Sequence, residues 1–237
     1  MAPLVSGGGS CVSVNNCGVL RSLIVQGKVL CGGCGSGPVV VIPPDEPPVI
    51  IADTILNPCA DAILLQNSPS FIDYMQELKD SSNSNREYGY FMFRDATGAF
   101  GNTTAGLIQG EANELSLGEI LNGFMIDCIA HCHFNTNTDS TTGLSVFSPD
   151  DLWSMCQQFN VGNFQNAATF SLALVTKNST QYLLKIENLT KFRAWASNFT
   201  QGSLDSYYRL FEHIYNIKNS NSNEVNEKNF LQYLKLN

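Results

Sequence analysis

The strongest constraint on the fold is an apolar run at residues 124–130, with the sequence Phe-Met-Ile-Asp-Cys-Ile-Ala. A short apolar run of this kind predicts a buried β-strand. The next three residues are His131, Cys132 and His133. Because side chains alternate between the two faces of a strand, both imidazoles should point to one side and the thiol to the other. We therefore expect two histidines side by side at the end of this strand, with Cys132 packed in the core as a small apolar group.

A helix start follows the histidine pair. Ser148 is followed by Pro149 and, at the third helical position, by Asp151, which are the residue types of a capping box. Helix capping alone would explain this motif, and an exposed strand end alone would explain the two histidines. Taken together, the histidine pair and the helix start predict a metal site. Two imidazoles and one carboxylate from the helix can hold a zinc ion with its fourth position open, as catalytic zinc sites do.

Composition and charge exclude other classes of function. The formal net charge is -8 and the pI is near 4.8, and no basic run provides the clustered cations that nucleic acids require. We therefore expect no nucleic-acid partner. The apolar runs are too short to cross a bilayer, so no membrane span is expected. A hydrophobic fraction of 43% fits a globular chain that buries a core.

Residue usage divides the chain into three parts. Residues 1–35 form a Cys- and Gly-rich N-terminal segment, residues 36–49 form a Pro-rich linker, and residues 50–237 form the main domain with its C-terminal helices. The compartment stays open, with a secreted or cell-envelope location favoured over a cytoplasmic one, and the oligomeric state is open too. Four cysteines of the first segment could form disulfides, bind zinc or remain free thiols: Cys11, Cys17, Cys31 and Cys34.

The main domain contains both helix and strand patterns. This order predicts an α+β fold, a mixed β-sheet flanked by helices in an α/β/α layering. The second helix should bury an apolar stripe of Phe71, Ile72, Met75 and Leu78. Helices are expected at residues 59–66, from Ser68 onward, at 150–159, and near 204–215 and 224–236. Strands are expected at residues 87–94, around 105–109, at 124–130, and as a hairpin of 169–176 and 181–187.

The His-x-His and Ser-x-x-Asp motifs together resemble the JAMM (MPN+) zinc metalloproteases, also called JAB-domain metallopeptidases. Glu87, followed by Tyr88 and Gly89, is similar to the glutamate that opens an upstream strand in that family. The resemblance covers roughly residues 55–190 and implies a divergent, bacterial-type member with JAB/MPN-like layering. The stretch from His133 to Ser148 is longer than is usual in the family, which implies an inserted loop at the lip of the site.

The resemblance also implies a role for each site residue. His131, His133 and Asp151 would bind Zn²⁺, with water in the fourth position. Glu87 would accept the proton of that water and pass it to the leaving amine. Ser148 would donate a hydrogen bond to the oxyanion of the tetrahedral intermediate. The implied substrate is a protein or peptide, cleaved at a peptide or isopeptide bond.

Several alternatives remain open at this point. Asp150 is a second candidate for the carboxylate ligand, and Glu111 and Glu114 are rival candidates for the base. The chain could instead be a catalytically inactive MPN-like module that binds another protein. It could also be a secreted toxin or effector hydrolase domain, and the Pro-rich linker at residues 36–49 favours this alternative.

Overall fold

The structure is a computed structural model, and it describes residues 20–24, 58–95, 100–103, 106–110, 125–134, 143–176 and 180–236. The strands in these ranges are β1 (Leu20–Ile24), β2 (Tyr88–Arg94), β3 (Phe100–Thr103), β4 (Ile108–Gln109), β5 (Cys128–Cys132), β6 (Ser171–Val175) and β7 (Gln181–Ile186). The α-helices are α1 (Pro58–Gln66), α2 (Pro69–Ser81), α3 (Pro149–Asn160), α4 (Leu189–Asn198), α5 (Leu204–Arg209) and α6 (Asn223–Leu236).

The strands form one mixed sheet, which confirms the predicted α+β class. The strand order is β1-β7-β6-β5-β2-β3, and β4 also pairs with β2. β5 and β6 run parallel, whereas the other strand pairs are antiparallel. The β6–β7 hairpin was predicted correctly. β5 lies between β2 and β6, so the histidine-bearing strand is in the interior of the sheet.

Helices cover both faces of this sheet. On one face, α1 and α2 pack against the side chains of β5 that include Cys132, and Phe71, Met75 and Leu78 are buried there. Ile72 was predicted in the same stripe, but 38% of it is exposed because it lies on the edge of that helical face. On the other face, residues of α3, α4, α5 and α6 surround Phe147 and Ile129 in a larger core. Among the described helices, none is long and apolar enough to cross a membrane.

Several element boundaries differ from prediction. The strand expected at residues 124–130 begins at Cys128 and continues through Cys132, because β2 and β6 provide hydrogen-bonding partners on both sides. β3 and α4 were not predicted. The helix expected at residues 204–215 changes into a π-helical stretch at Leu210–Ile214.

The structure describes only a small part of the predicted Cys- and Gly-rich segment and none of the predicted Pro-rich linker. β1 lies inside the predicted Cys- and Gly-rich segment and pairs with β7 along its whole length. Cys11, Cys17, Cys31, Cys34 and the linker at residues 36–49 lie outside the described ranges, so the three-part division of the chain stays a prediction.

A group of buried charges connects α1 to the sheet on the face that α1 and α2 cover. Asp61 is 4% exposed and Lys185 is fully buried, and the ammonium group donates to the carboxylate. Arg94 donates to the same carboxylate over 2.8 Å, and Lys185 also donates to the carbonyl of Thr169 over 2.8 Å. Burial lowers the pKa of Lys185, and the charge of Asp61 opposes that shift.

Candidate metal centre

The sheet fixes the two histidines of β5 side by side on one face. His131 lies opposite Gly89 of β2 and Leu174 of β6, and the backbone N–H of His133 donates to the carbonyl of Val175 over 2.9 Å. The two rings lie 5.2 Å apart between centroids. Only 4% of His131 and 3% of His133 are exposed. Cys132 points to the opposite face and is fully buried, as predicted.

The first turn of α3 brings a carboxylate to the same place. Ser148 caps the helix, and its hydroxyl oxygen accepts from the backbone N–H of Asp151 over 3.1 Å. In return, Asp151 Oδ2 accepts from the backbone N–H of Ser148 over 2.7 Å. This capping box, which was predicted from the sequence, leaves Oδ1 directed towards the histidines. Oδ2 of Asp151 therefore holds the helix start and also lies near His133, while Oδ1 faces His131.

The three side chains converge on one point. Asp151 Oδ1 lies 2.9 Å from His131 Nε2, and Oδ2 lies 3.3 Å from His133 Nε2. One candidate ligand atom from each residue lies within 4.8 Å of the other two. Despite its closeness to Asp151, the buried Nε2 of His131 has no hydrogen-bond partner among the described residues. A buried nitrogen without a proper partner is suited to a metal ion, and this His-His-Asp group could hold one.

Opposite charges dominate the electrostatics of the group. Burial acts to raise the pKa of Asp151, but the two imidazoles outweigh it and hold that pKa well below its usual value. Burial acts to lower the pKa of His133, but its contact with the Asp151 carboxylate raises the pKa to about 9. Without a metal, the group therefore stabilises a proton on His133. A divalent cation would take the place of that positive charge.

Glu87 lies beside the group. Tyr88 pairs with Cys132, so the preceding residue, Glu87, lies opposite His133 and on the same face of the sheet as that histidine. Burial raises the pKa of Glu87, and the nearby His133 and His131 oppose that shift. A half-buried carboxylate with a raised pKa next to a metal-ligand group is suited to accept a proton.

The other candidate residues differ in their positions. Ser148 borders the group through its cap with Asp151. Asp150 is exposed, lies outside the three-residue group, and accepts a hydrogen bond from the hydroxyl of Tyr208. Glu111 and Glu114 lie outside the described residues.

Three residues near the histidines were not singled out in the sequence. The carbonyl of Leu144 lies 2.7 Å from His133 Nδ1, so it fixes that ring with Nε2 towards Asp151 when Nδ1 carries the proton. A Cβ atom at Gly143 would lie only 2.5 Å from the Cβ of His133. The hydroxyl of Thr176, one residue beyond β6, is fully buried and has no hydrogen-bond partner in the described part of the chain. Of these three residues, Gly143 alone had a signal in the sequence, because it ends a run of turn-forming residues. That pattern predicts a turn but not a contact with His133.

Comparison with known proteins adds no family to this description. Scans against protein-family models, curated proteins and solved structures find no match to the chain.

Proposed function

We propose that this chain is a zinc-dependent hydrolase of JAMM type that cleaves a peptide or isopeptide bond with a metal-activated water. The observation that carries the proposal is the convergence of His131, His133 and Asp151 on one buried point. Two imidazoles and a carboxylate are a ligand set of catalytic zinc sites, which keep one position open. The helices on both faces of the sheet agree with JAB/MPN-like layering.

The residues around the ligands have defined parts in the proposed reaction. Bound zinc would lower the pKa of a coordinated water towards about 7 and polarise the scissile carbonyl. Glu87 takes the proton from the attacking water and delivers it to the leaving nitrogen. The Ser148 hydroxyl accepts from Asp151 in the helix cap, and its own hydrogen can still be donated to the carbonyl oxygen as negative charge develops there.

Zinc content tests the metal site. The purified full chain should bind about one zinc ion at this group, and replacing both His131 and His133 with Ala should abolish that binding. The third histidine of the chain, His213, is exposed on the π-helical stretch, so His213→Ala is a matched control that should keep the metal. Zinc that survives the double substitution and disappears when the N-terminal cysteines are changed would place the metal elsewhere.

Hydrolysis tests the reaction. The zinc-loaded protein should cleave members of a peptide library, and a chelator should stop cleavage. Glu87→Gln should keep the zinc and lose the activity, because an amide cannot accept the proton. Full activity in that variant would move the base to Glu111 or Glu114. A protein that binds no metal and cleaves nothing would instead fit the alternative of an inactive MPN-like interaction module.

A further inference from the structure

A polar cleft of about 330 Å³ lies next to the metal-ligand group. Its wall on one side is formed by Gly143 and Ser145. The other wall is formed by the residues just before α6, including Asn221 and Ser222, and by Glu224 in the first turn of that helix. This volume is at the lower end of the range of small-ligand sites, about 300–1,000 Å³. Its lining consists of amide and hydroxyl groups and one carboxylate.

The cleft and the metal-ligand group share a wall. Gly143 lines the cleft, and its Cα lies so close to His133 that an added Cβ would overlap that side chain. Leu144, the next residue, contacts the ring of His133 through its carbonyl. The segment of residues 143–145 therefore holds a candidate metal ligand on one side and borders the cleft on the other. A molecule in the cleft would therefore be separated from His133 by this short segment.

A buried asparagine keeps the two walls of the cleft together. Asn226 is fully buried, and its Nδ2 donates to the Ser145 hydroxyl and to the carbonyl of Lys218, each over 2.9 Å. Its Oδ1 accepts from the backbone N–H of Lys218 and from Asn221 Nδ2. Such a satisfied network holds the polar lining in a fixed geometry before any ligand arrives.

We infer that this cleft binds the peptide segment next to the scissile amide and favours a positively charged residue there; the inference rests on the proposed function. Amide and hydroxyl groups match the hydrogen-bonding groups of a peptide main chain, whereas a large apolar side chain would find little complementary surface. Glu224 is the charged group in the lining. Hydrogen bonds from its own backbone and from Ser222 lower its pKa, so it is ionised at neutral pH and attracts a cation.

The test compares two blocked peptides, acetyl-Ala-Ala-Lys-Ala-Ala-amide and the same peptide with norleucine in place of Lys. NMR titrations of the full chain, zinc-free and zinc-loaded, should show shifts at Gly143, Ser145 and Asn221. At low salt the Lys peptide should bind about two- to fivefold more tightly than the norleucine peptide, which is the range for one exposed ion pair. Added salt should reduce this difference in affinity.

Two variants assign the preference to the cleft. Glu224→Gln should remove the preference for Lys and leave the affinity for the norleucine peptide unchanged. Asp73→Asn removes one exposed carboxylate on α2, across the sheet from the cleft, and should keep the preference. A preference that survives Glu224→Gln, peptide-induced shifts elsewhere than the cleft, or no binding in either zinc state would overturn the inference.

Failure of the inference and failure of the proposed function can be told apart. Zinc binding and hydrolysis without shifts in the cleft would refute the inference and leave the function standing. Peptide binding in the cleft of a chain that takes no zinc and cleaves nothing would support the cleft as a peptide site and refute the function.

Discussion

The close contact between Gly143 and His133 gives a residue without functional atoms a part in placing a candidate metal ligand. The backbone at Gly143 passes so close to the histidine that a Cβ atom there would lie 2.5 Å from His133 Cβ. Real atoms do not approach so closely, so a side chain at residue 143 would push either the loop or the imidazole out of place. Leu144, whose carbonyl contacts the ring of His133, would move with it.

We predict that Gly143→Ala weakens zinc binding about 10- to 100-fold, the usual effect of disturbing the residues that orient a metal ligand. Competition titration with a chromogenic chelator would measure the change. Gly202→Ala is a suitable control, because a Cβ there meets its nearest neighbour, Thr200 Oγ1, at an ordinary 3.9 Å. Equal zinc affinity in Gly143→Ala and wild type would show that His133 does not depend on this contact.

The N-terminus of α3 combines two roles in one short element. Its capping box is complete, with Ser148 and Asp151 bonded to each other's backbone. The backbone bond from Ser148 to the Asp151 carboxylate does not depend on the Ser148 side chain. Changing that side chain therefore separates helix capping and the proposed catalytic role of Ser148 from the positioning of Asp151, the candidate ligand.

We predict that Ser148→Ala lowers the free energy of unfolding of the zinc-free chain by about 1 kcal/mol, because one cap is lost. Zinc affinity should change little, since the Asp151 carboxylate keeps its bond to the Ser148 backbone. Hydrolysis should slow about 10²- to 10³-fold, as when one oxyanion donor is removed. Urea denaturation and single-turnover kinetics would measure these effects. Ser148→Thr keeps the hydroxyl and should therefore keep both the stability and the rate of hydrolysis. An unchanged rate in Ser148→Ala would exclude the oxyanion role.

The sequence was most informative where an element is defined by its own residues. The capping box identifies the start of α3, and the alternation of β5 predicts that His131 and His133 share a face. These candidate ligands lie on one strand and on the helix that comes next among the described elements, so local patterns were sufficient to single them out. α4 was missed although Asn188 caps it and Phe192 and Trp195 form its buried face.

The remaining features depend on contacts between distant parts of the chain. The length of β5 depends on ladders with β2 and β6, and no local pattern states which strands are neighbours. The approach of Gly143 to His133 joins two residues that are not adjacent in the sequence, and no local pattern states that they meet. The cleft requires Ser145 and Asn226, which are 81 residues apart, to meet. Such pairings follow from the packing of the whole domain and not from propensity.

At the scale of the whole molecule, polar groups connect the sheet to helices on both of its faces. On one face the histidines of β5 meet Asp151 of α3. On the other face Lys185 of β7 and Arg94 of β2 meet Asp61 of α1. A metal ion could take the place of the proton on His133 in the first group, whereas the second group already contains its cations, Lys185 and Arg94. The two should therefore respond differently to zinc.

We predict that zinc stabilises the whole fold, by about 2.7 kcal/mol when free zinc is 100 times its dissociation constant. The His131→Ala, His133→Ala double variant should lose this increment. Asp61→Asn should lower the baseline stability by about 3–5 kcal/mol, because it leaves the fully buried Lys185 without its carboxylate. It should nevertheless keep the zinc increment, since the two groups lie on opposite faces of the sheet. Urea denaturation of the wild type, the double histidine variant and Asp61→Asn, each with and without zinc, measures the baseline stability and the zinc increment of each protein. An increment that disappears in Asp61→Asn would show that the two faces are coupled through the sheet.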